Sequence, residues 1–383
     1  MKALLFRPGM EYPEIEDIDI DLPRGREVLV RVVACGVCHS DLHFMESRNK
    51  PAGVGLYGKS LNSRMQPGPA ERRSEEAQAS MIVMGHEPAG IVEAIGLDVR
   101  HLKVGDRVVG AGISHCGTCR QCLVGRPYLC LHQPRRGPAD TPRLSKCGER
   151  VSQFANLGGF AEMILAHETS LVRIDVDIPF SSAAILGCSV ATGTGAALNT
   201  AQVAPGSTVA VFGCGGIGLS VIQGARIAGA ERIFAIDVVD LKLDMAKSFG
   251  ATDVFNSSGI DAAAVLIDAT DGHGIDFSFE TTARTEVAQT AYDCLGLRGK
   301  LTCLAATPSE LSSIVWSERQ VIGSMIGSSR LATDIPRYLD FYRQGRLKLD
   351  EMISLVVPPE NFADAARAVN EGRAARTVIS FDE

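Results

Sequence analysis

The sequence lacks a surplus of basic residues. Its 38 lysines and arginines are fewer than its 45 aspartates and glutamates, which gives a formal net charge of −7. Nucleic acids and anionic membrane surfaces attract proteins through basic patches, so this balance argues against both kinds of partner. We therefore expect neither nucleic acid nor a membrane as a partner.

The sequence also lacks a long uninterrupted apolar segment. Only four apolar residues, Ala3–Phe6, precede Arg7, and they are too few for the core of a signal peptide. The segment Ile178–Ala225 contains no charged residue, but glycine, proline and polar residues interrupt it throughout, which is typical of a buried part of a soluble fold. No internal repeat or low-complexity tract is present. These absences predict a cytoplasmic protein.

The length of the chain predicts two domains. At 383 residues it exceeds the roughly 250–300 residues at which a single core usually stops growing. The first part shows short strand-like segments joined by glycine- and proline-rich turns, for example Glu27–Ala34, Ala89–Ile95 and Asp106–Val109. This pattern predicts a mostly β first domain.

A different pattern begins at Ser207–Phe212, a β-type run that enters a glycine cluster. The helical spacing of Leu219–Ala228 and the strand-like Arg232–Ile236 complete the strand–helix–strand unit of a doubly wound parallel sheet. Further segments alternate similarly: Leu241–Phe249, Ile275–Phe279, Thr285–Cys294 and Lys300–Ala305. A helix near Ile335–Gln344 and a strand at Thr377–Phe381 are expected to return to the first domain. The predicted fold is α/β, with domains at residues 1–189 and 190–330 and a returning tail at 331–383.

Four of the eleven cysteines crowd together, at Cys116, Cys119, Cys122 and Cys130. Without a secretory signal, such cysteines favour metal binding or catalysis over disulfides. Four thiolates can surround one tetrahedral Zn²⁺ and fill its coordination shell, which makes the site structural. Two alternatives stay open: four unrelated buried thiols, or an iron–sulfur cluster, which the two-electron chemistry indicated by the rest of the chain does not need.

A glycine-rich turn follows Ser207–Phe212 and opens a helix; its residues are Gly213, Gly215, Gly216, Ile217 and Gly218. Such glycines let the backbone approach a pyrophosphate at a helix N-terminus. Asp237 ends the next strand at the expected separation of about 20 residues, where a carboxylate binds ribose hydroxyls and repels a 2′-phosphate. The pattern predicts NAD rather than NADP, with a purely structural turn as the alternative.

Cys38, His86 and Cys188 lie far apart in the sequence. Three such ligands make a catalytic zinc site with an open coordination position only if the fold brings them together, which spacing alone does not show. Each also has a simpler explanation, since a free cysteine is often a small buried apolar residue. A redox pair of Cys35 and Cys38 is another alternative, but no βαβ pattern of the thioredoxin kind accompanies it.

Together these motifs resemble those of the zinc-containing medium-chain alcohol dehydrogenases, including the class I and III enzymes and the benzyl alcohol dehydrogenase-like branch. The resemblance runs nearly from end to end and is carried by CGVCHSDLH, MGHEPAGIVEAIG, CGTCRQC, GCSVATGTGAALNTAQVAPGSTVAVFGCGGIGLS and RTVISF. It implies a GroES-like catalytic domain with a structural zinc lobe and a Rossmann-type NAD-binding domain. It also implies hydride transfer between an alcohol or aldehyde and NAD.

The resemblance assigns two zinc ions to the chain. Catalytic zinc would be bound by Cys38, His86 and Cys188, with Glu87 as a transient ligand or a neighbour of the ligands. Structural zinc would be bound by Cys116, Cys119, Cys122 and Cys130. Asp41 would contact the histidine ligand.

The resemblance also implies a proton relay and further coenzyme contacts. Ser40 and His43 would carry the alcohol proton towards solvent. Beyond the glycine turn and Asp237, the coenzyme-binding residues would be His39, Thr192, Lys242 and Arg376.

Two features depart from the family pattern. Cys38 and His86 are separated by 47 residues, and the excess, roughly Arg48–Ala79, is polar and turn-rich. It is either a tolerated surface insertion or a lid over the substrate entrance, and we predict the lid. In addition, Gly112 stands where well-known relatives carry a bulky pocket residue, which suggests room for a large substrate.

The leading functional prediction is therefore a dehydrogenase for a bulky alcohol or aldehyde, aromatic, terpenoid or long-chain. One alternative is an S-(hydroxymethyl)glutathione (formaldehyde) dehydrogenase, for which Arg135 and Arg136 could hold a carboxylate. Another is a zinc-free, quinone reductase-like cofactor-binding protein, which the presence of all three catalytic ligands disfavours. The apolar segment Ser313–Ile326 extends the coenzyme-domain sheet across a two-fold axis in relatives, and it predicts a homodimer or a homotetramer.

Overall fold

The computed structural model describes residues 1–49 and 79–382. The chain forms two compact units, the first made of Met1–Cys188, Arg330–Pro336 and Leu349–Glu383, the second of Ser189–Ser329 and Arg337–Lys348. The segment 337–348 thus groups with the second unit, although the sequence pattern assigned it to the returning tail. Each unit is built around its own sheets, and the predicted α/β fold is confirmed.

The first unit is organised around the long strand Glu27–Val37. It pairs with Glu87–Ile95, Met163–His167 and Arg376–Ser380, all antiparallel. Its sheet runs in the order Leu171–Arg173, Arg107–Gly110, Glu87–Ile95, Glu27–Val37, Arg376–Ser380 and Ile353–Val357. Most residues of Glu27–Val37 are buried, because side chains on both faces of this strand pack into the core of the unit. The final strand of the chain therefore belongs to the sheet that carries Cys38 and Glu87 at its strand ends.

A second sheet and four short helices complete the first unit among the described residues. The sheet runs in the order Glu14–Asp17, Lys2–Phe6, Ile82–Val83, Glu149–Gln153, Leu144–Lys146 and Asp19–Ile20. The helices are His39–Arg48, Arg120–Leu123, Phe180–Ala184 and Phe362–Asn370.

The second unit contains a parallel six-stranded sheet in the order Asp253–Asn256, Arg232–Asp237, Thr208–Phe212, Ile275–Glu280, Leu295–Cys303 and Gln320–Gly323. Its helices are Ser189–Gly195, Gly216–Ala228, Asp240–Phe249, Ala262–Asp268, Thr285–Asp293 and Ile314–Ser317, with a π-helical turn at Ala196–Ala201. The helix Leu331–Arg343 is divided between the two units. The central strands are almost wholly buried, as expected for a parallel sheet covered on both faces. This is the predicted Rossmann-type sheet.

The predicted insertion lies outside the described residues except at its ends. There, Arg48 Nη2 donates to the carbonyl oxygen of Ala79 at 2.8 Å. The chain thus leaves and rejoins the first unit at neighbouring points, and the lid remains a prediction.

No single helix in the described ranges is long and apolar enough to cross a membrane. The bent helical pair Phe180–Gly187 and Ser189–Ala201 passes that test only by length and composition. The cytoplasmic location stays a prediction.

His167, in the first unit, is a buried histidine whose ring accepts hydrogen bonds. Its Nδ1 accepts from the backbone N–H of Thr169 at 3.3 Å and lies 2.8 Å from Thr169 Oγ1. Burial, assisted by the positive charge of Arg26, lowers the pKa of His167 to about 4. The ring is therefore neutral in the folded protein at neutral pH.

We expect the free energy of unfolding to fall between pH 6.5 and pH 4 partly because of His167. In that pH window the imidazole of His167 is protonated in the unfolded chain but not in the folded chain. The stabilisation is therefore fully present above the unfolded-state pKa and decreases by about 1–3 kcal/mol as the pH falls towards 4. Denaturant titrations of His167→Asn should show a shallower loss than the wild type. His101→Asn, at an exposed histidine, is the control, and equal slopes for all three proteins would contradict the assignment.

Candidate metal centres and coenzyme turn

Four side chains from three separate parts of the first unit converge on one point. The ligand atoms of Cys38, His86, Glu87 and Cys188 all lie within 4.8 Å of one another. Cys38 follows the strand Glu27–Val37 and caps the helix His39–Arg48, while His86 and Glu87 stand at the start of the strand Glu87–Ile95. The fold therefore supplies the convergence that the spacing of these residues could not establish.

Two glycines permit the close backbone approaches at this point. Gly85 has φ +89°, and a Cβ there would meet Phe160 at 2.6 Å. At Gly187, just before Cys188, a Cβ would lie 2.0 Å from the carbonyl oxygen of Gly110. A larger residue at either position would push His86 or Cys188 away from the group.

The buried carboxylate of Asp41 holds His86 in place. Asp41 Oδ1 lies 3.1 Å from His86 Nδ1 and accepts from the backbone N–H of Gly85, while Oδ2 accepts from the N–H of Cys38. With Nδ1 donating to Asp41, Nε2 is left as the lone-pair nitrogen, and it lies 3.3 Å from Cys188 Sγ. Phe154 packs edge-on against the His86 ring at a centroid distance of 5.5 Å. No sequence pattern predicts the role of Phe154, because a lone aromatic residue has no distinctive motif.

Glu87 forms a buried ion pair with Arg376. Arg376 Nη2 donates to Glu87 Oε2, and both side chains are almost inaccessible to solvent. The other oxygen, Oε1, is buried and has no hydrogen-bond partner among the described residues. Burial raises the pKa of the Glu87 carboxyl to about 7, opposed by Arg376. An unsatisfied buried oxygen beside two thiols and an imidazole is the kind of donor that a bound cation would satisfy.

The donor chemistry of this group fits zinc. Sulfur and imidazole nitrogen are the ligands that Zn²⁺ prefers, and three of the four donors are of these kinds. Contact with Cys188, together with His86 and against the effect of burial, lowers the pKa of the Cys38 thiol well below its usual value. The local environment thus already favours the thiolate, the form that binds metals.

The four clustered cysteines fit a second zinc ion. Their sulfurs lie close together, with Cys119 Sγ 3.5 Å from Cys122 Sγ and 3.9 Å from Cys130 Sγ, and Cys116 Sγ 3.6 Å from Cys130 Sγ. Four sulfurs around zinc at about 2.3 Å would be roughly 3.8 Å apart. A hydrogen bond from backbone N–H of Cys122 contributes most to lowering the pKa of Cys119, to about 6. Four sulfur donors leave no open coordination position for a substrate.

The predicted relay residues lie on the first two turns of the helix His39–Arg48. Ser40 Oγ is 3.7 Å from Cys38 Sγ, so this hydroxyl borders the metal-donor group. His43 is half-buried one turn further on, and its ring lies 5.8 Å from that of the exposed His39. Ser40 is thus near the donor group, and His43 is partly exposed to solvent.

In the second unit, the glycine turn connects the strand Thr208–Phe212 to the helix Gly216–Ala228. Gly213 has φ +93°, and a Cβ at Gly218 would lie 1.8 Å from the carbonyl oxygen of Gly213, so only glycine fits. Asp237 Oδ2 accepts from the backbone N–H of Cys214 at 2.8 Å. Asp237 Oδ1 accepts from the backbone N–H groups of Val238 and Val239. The carboxylate thus fixes the turn in addition to ending its strand.

Three further predicted coenzyme residues are dispersed. Lys242 lies in the first turn of the helix Asp240–Phe249, close in sequence to Asp237. Thr192 is buried in the helix Ser189–Gly195. Arg376 belongs to the first unit, where its side chain is engaged by Glu87.

One unit with two zinc-type donor groups and a second, Rossmann-type unit with a glycine turn together define the class of zinc-dependent dehydrogenases. Family models agree with this: the alcohol dehydrogenase GroES-like domain matches residues 24–176 and the zinc-binding dehydrogenase domain matches residues 216–344. The chain belongs to the zinc-dependent medium-chain alcohol dehydrogenase family. It is an oxidoreductase that acts on alcohols with zinc and NAD.

Individual relatives cover nearly the whole chain. Alcohol dehydrogenase 6 of Rattus norvegicus is 32% identical, over 98% of this chain and 96% of that protein. A probable S-(hydroxymethyl)glutathione dehydrogenase 1 of Schizosaccharomyces pombe is 36% identical, over 100% and 97%. Among solved structures, benzyl alcohol dehydrogenase of Acinetobacter calcoaceticus is similar with a TM-score of 0.85 and 29% identity, over 100% of this chain and 99% of that one.

We expect two zinc ions per chain that can be removed separately. Cys188→Ala should lose one zinc and all turnover but keep the other, because the four-cysteine group is intact, whereas Cys122→Ala should lose the structural ion. The wild type should release the ion of the Cys38 group to a chelator first, because that site has an open position. Elemental analysis measures the metal content. Cys147→Ala, at an exposed cysteine outside both groups, is the control, and a single zinc in the wild type would contradict the two sites.

Proposed function

We propose that this enzyme oxidises a bulky primary or secondary alcohol, aromatic, terpenoid or long-chain, with NAD, or reduces the corresponding carbonyl compound. The observation that carries the proposal is the convergence of Cys38, His86, Glu87 and Cys188. Three residues that are strong zinc ligands, from separate parts of the chain, meet at the strand ends of the GroES-like unit. A structural zinc site would not require this second group, since the four-cysteine group provides one.

In this proposal Cys38, His86 and Cys188 hold the catalytic zinc, and Cys116, Cys119, Cys122 and Cys130 hold the structural zinc. When bound, zinc supplies Lewis acidity that favours loss of the substrate hydroxyl proton. Glu87 belongs to the same donor group, and its unpartnered Oε1 is available as a transient ligand. Asp41 orients the His86 ring, and Arg376 offsets the negative charge of Glu87.

Two residues of the helix His39–Arg48 carry the substrate proton towards solvent in this proposal. Ser40 Oγ accepts the substrate proton and gives up its own towards His43, which is half-buried and can release it to solvent. The position of Ser40 beside Cys38 Sγ and the partial exposure of His43 support this direction.

The coenzyme lies on the glycine turn in this proposal. The N-terminus of the helix Gly216–Ala228 offers free backbone N–H groups to a pyrophosphate, and Asp237 accepts from the ribose hydroxyls. Lys242, Thr192 and His39 are proposed as further contacts. Arg376 is included because its buried Nε has no partner among the described residues, so that it retains a donor beyond the Glu87 pair.

Small residues beside His86 support a large substrate. A Cβ built at Gly112 lies 3.9 Å from His86 Cβ and 3.0 Å from Ala155 Cβ. The methyl group of Ala155 therefore takes up the space next to Gly112, and these two residues themselves contribute no group larger than a methyl beside His86 Cβ. The likeness to a benzyl alcohol dehydrogenase favours an aromatic substrate.

The glutathione alternative has less support in the site. Arg136, one of the two arginines considered for a carboxylate, is buried and donates to Glu27 and Asp21. Its fork is thus already occupied by carboxylates of the same unit.

A turnover screen with NAD tests the proposal. We expect kcat/KM for benzyl and long-chain alcohols to exceed that for ethanol by about tenfold or more. Ser40→Ala should lower kcat by about a hundredfold, because it removes the first proton acceptor. The control is Ser47→Ala, because the Ser47 hydroxyl donates to the backbone carbonyl oxygen of Phe44 near the other end of the same helix. If the enzyme turned over S-(hydroxymethyl)glutathione and none of the bulky alcohols, the proposed substrate class would be wrong.

The coenzyme preference depends on Asp237. We expect the wild type to use NAD at least about tenfold more efficiently than NADP, because the carboxylate repels a 2′-phosphate. Asp237→Gly should reduce the preference for NAD over NADP. It should also lower the affinity for NAD, since it removes the hydrogen bonds from Asp237 to the turn. Asp237→Asn removes the charge and retains one acceptor for Cys214, which separates the two effects. Equal efficiency of NADP and NAD in the wild type would show that the carboxylate does not select the coenzyme.

The proposed assembly is a homodimer, with a homotetramer as the larger possibility. Gln320–Gly323 is the edge strand of the parallel sheet, and Val315 and Trp316 beside it are 77% and 90% exposed. An open strand edge with large exposed apolar side chains favours pairing with a second copy.

Trp316 is the single tryptophan of the chain, so its fluorescence reports on this surface alone. We expect sedimentation of a dimer and a red shift of the emission on dissociation. Val315→Lys should favour the monomer, whereas Leu97→Lys, at a fully exposed leucine of the first unit, should not. A wild-type monomer at micromolar concentration would rule out the dimer.

A further inference from the structure

A cavity of about 380 Å³ in the first unit is lined by five arginines. They are Arg24, Arg26, Arg135, Arg136 and Arg143, and the cavity wall carries only two carboxylates, Glu27 and Asp140. Such a concentration of guanidinium groups is unexpected in a chain of net charge −7. None of the lining residues belongs to the two metal-donor groups or to the glycine turn.

At the base of the cavity, one carboxylate is shared by two guanidinium groups. Glu27 accepts from Arg136 Nη2 and, at 2.7 Å, from Arg143 Nε, and all three side chains are nearly inaccessible. Arg143 Nη1 donates to the neutral amide oxygen of Asn156 at 2.9 Å. Asp21 also pairs with Arg136, and it pairs with Arg24 as well, so that Arg24, Arg136 and Arg143 share the two carboxylates Glu27 and Asp21. One positive charge of this group is therefore in excess.

At the rim, two arginines retain unused donors. Arg26 uses its Nε for the buried Glu168, and neither of its terminal nitrogens has a contact among the described residues. Arg24 makes a single ion pair, from Nη2 to Asp21 at 2.7 Å. Both side chains are partly exposed. A guanidinium fork with free N–H groups matches the geometry of a carboxylate or a phosphate.

We propose that this cavity binds a small metabolite through an oxyanion group, a phosphate or a carboxylate. The rim arginines Arg24 and Arg26 supply the free donors, and the excess of Arg24, Arg136 and Arg143 over Glu27 and Asp21 supplies the attraction. The volume lies within the range of small-molecule sites and exceeds what a bare ion needs. The neutral His167 ring on the wall adds a surface for the uncharged part of the ligand. This site is independent of the alcohol and coenzyme sites.

Calorimetric titration of the zinc-loaded, full-length enzyme tests the proposal. Saturating NAD fills the glycine turn, so that added anions cannot bind there. Inorganic phosphate and succinate are titrated in turn at constant ionic strength, which distinguishes the two oxyanions. We expect saturable binding of at least one of them with a Kd below about 10 mM.

Two variants locate the binding. Arg24→Gln removes a rim charge, and Arg26→Lys keeps the ion pair with Glu168 but removes the terminal fork. Each should weaken binding about tenfold or more. The controls are Arg173→Gln and Arg173→Lys, at an exposed arginine that pairs with Asp175 and does not line the cavity, and they should stay within about twofold of the wild type.

Three results would overturn the proposal. One is the absence of saturable heat with both anions. Another is an unchanged Kd in Arg24→Gln and Arg26→Lys, which would place the anion elsewhere. The last is an equal loss in the Arg173 variants, which would indicate general charge attraction. Thermal melting checks that each variant is folded, and Arg24→Gln suffices if Arg26→Lys is unstable.

Discussion

The arrangement of the metal-donor group depends on one buried carboxylate, that of Asp41. It accepts hydrogen bonds from the backbone at Cys38 and Gly85 and lies 3.1 Å from the ring of His86, so a single side chain ties two distant segments together. A fully buried carboxylate is costly unless its lone pairs are satisfied, and here three donors satisfy it. The same contacts choose the tautomer of His86. Without Asp41, the segments of Cys38 and His86 would lose the side chain that connects them.

A negative and a positive side chain lie next to the metal-donor group. Glu87 faces the donor group, and Arg376 lies behind it on the last strand of the chain. Because Arg376–Ser380 pairs with Glu27–Val37, the C-terminal segment contributes a charge to a site whose other members come from the first half of the sequence. The C-terminal strand therefore supplies a positive charge next to the metal-donor group, in addition to completing the sheet.

Much of this was predictable from the sequence, and the failures have physical reasons. The glycine turn and the four-cysteine group are recognisable in the sequence because their residues lie close together in it. The alternation of strands and helices predicts the fold class. The pairing of Arg376 with Glu87, the packing of Phe154 on His86 and the small contact of Gly112 with Ala155 depend on tertiary proximity, which no local pattern encodes. The segment 337–348 was placed with the tail because the amphipathic helix Leu331–Arg343 gives no sign that it is divided between the units.

The hydrogen bond between Arg48 and Ala79 has a consequence for how the protein can change. Since Arg48 and Ala79 are hydrogen-bonded to each other on the first unit, the two ends of the inserted segment are held together there, and longer loops between fixed ends cost little additional entropy. Evolution can lengthen, shorten or replace that stretch while the strands and the donor group stay where they are. The same position is a natural point at which to insert a foreign domain, such as a fluorescent reporter, into this enzyme.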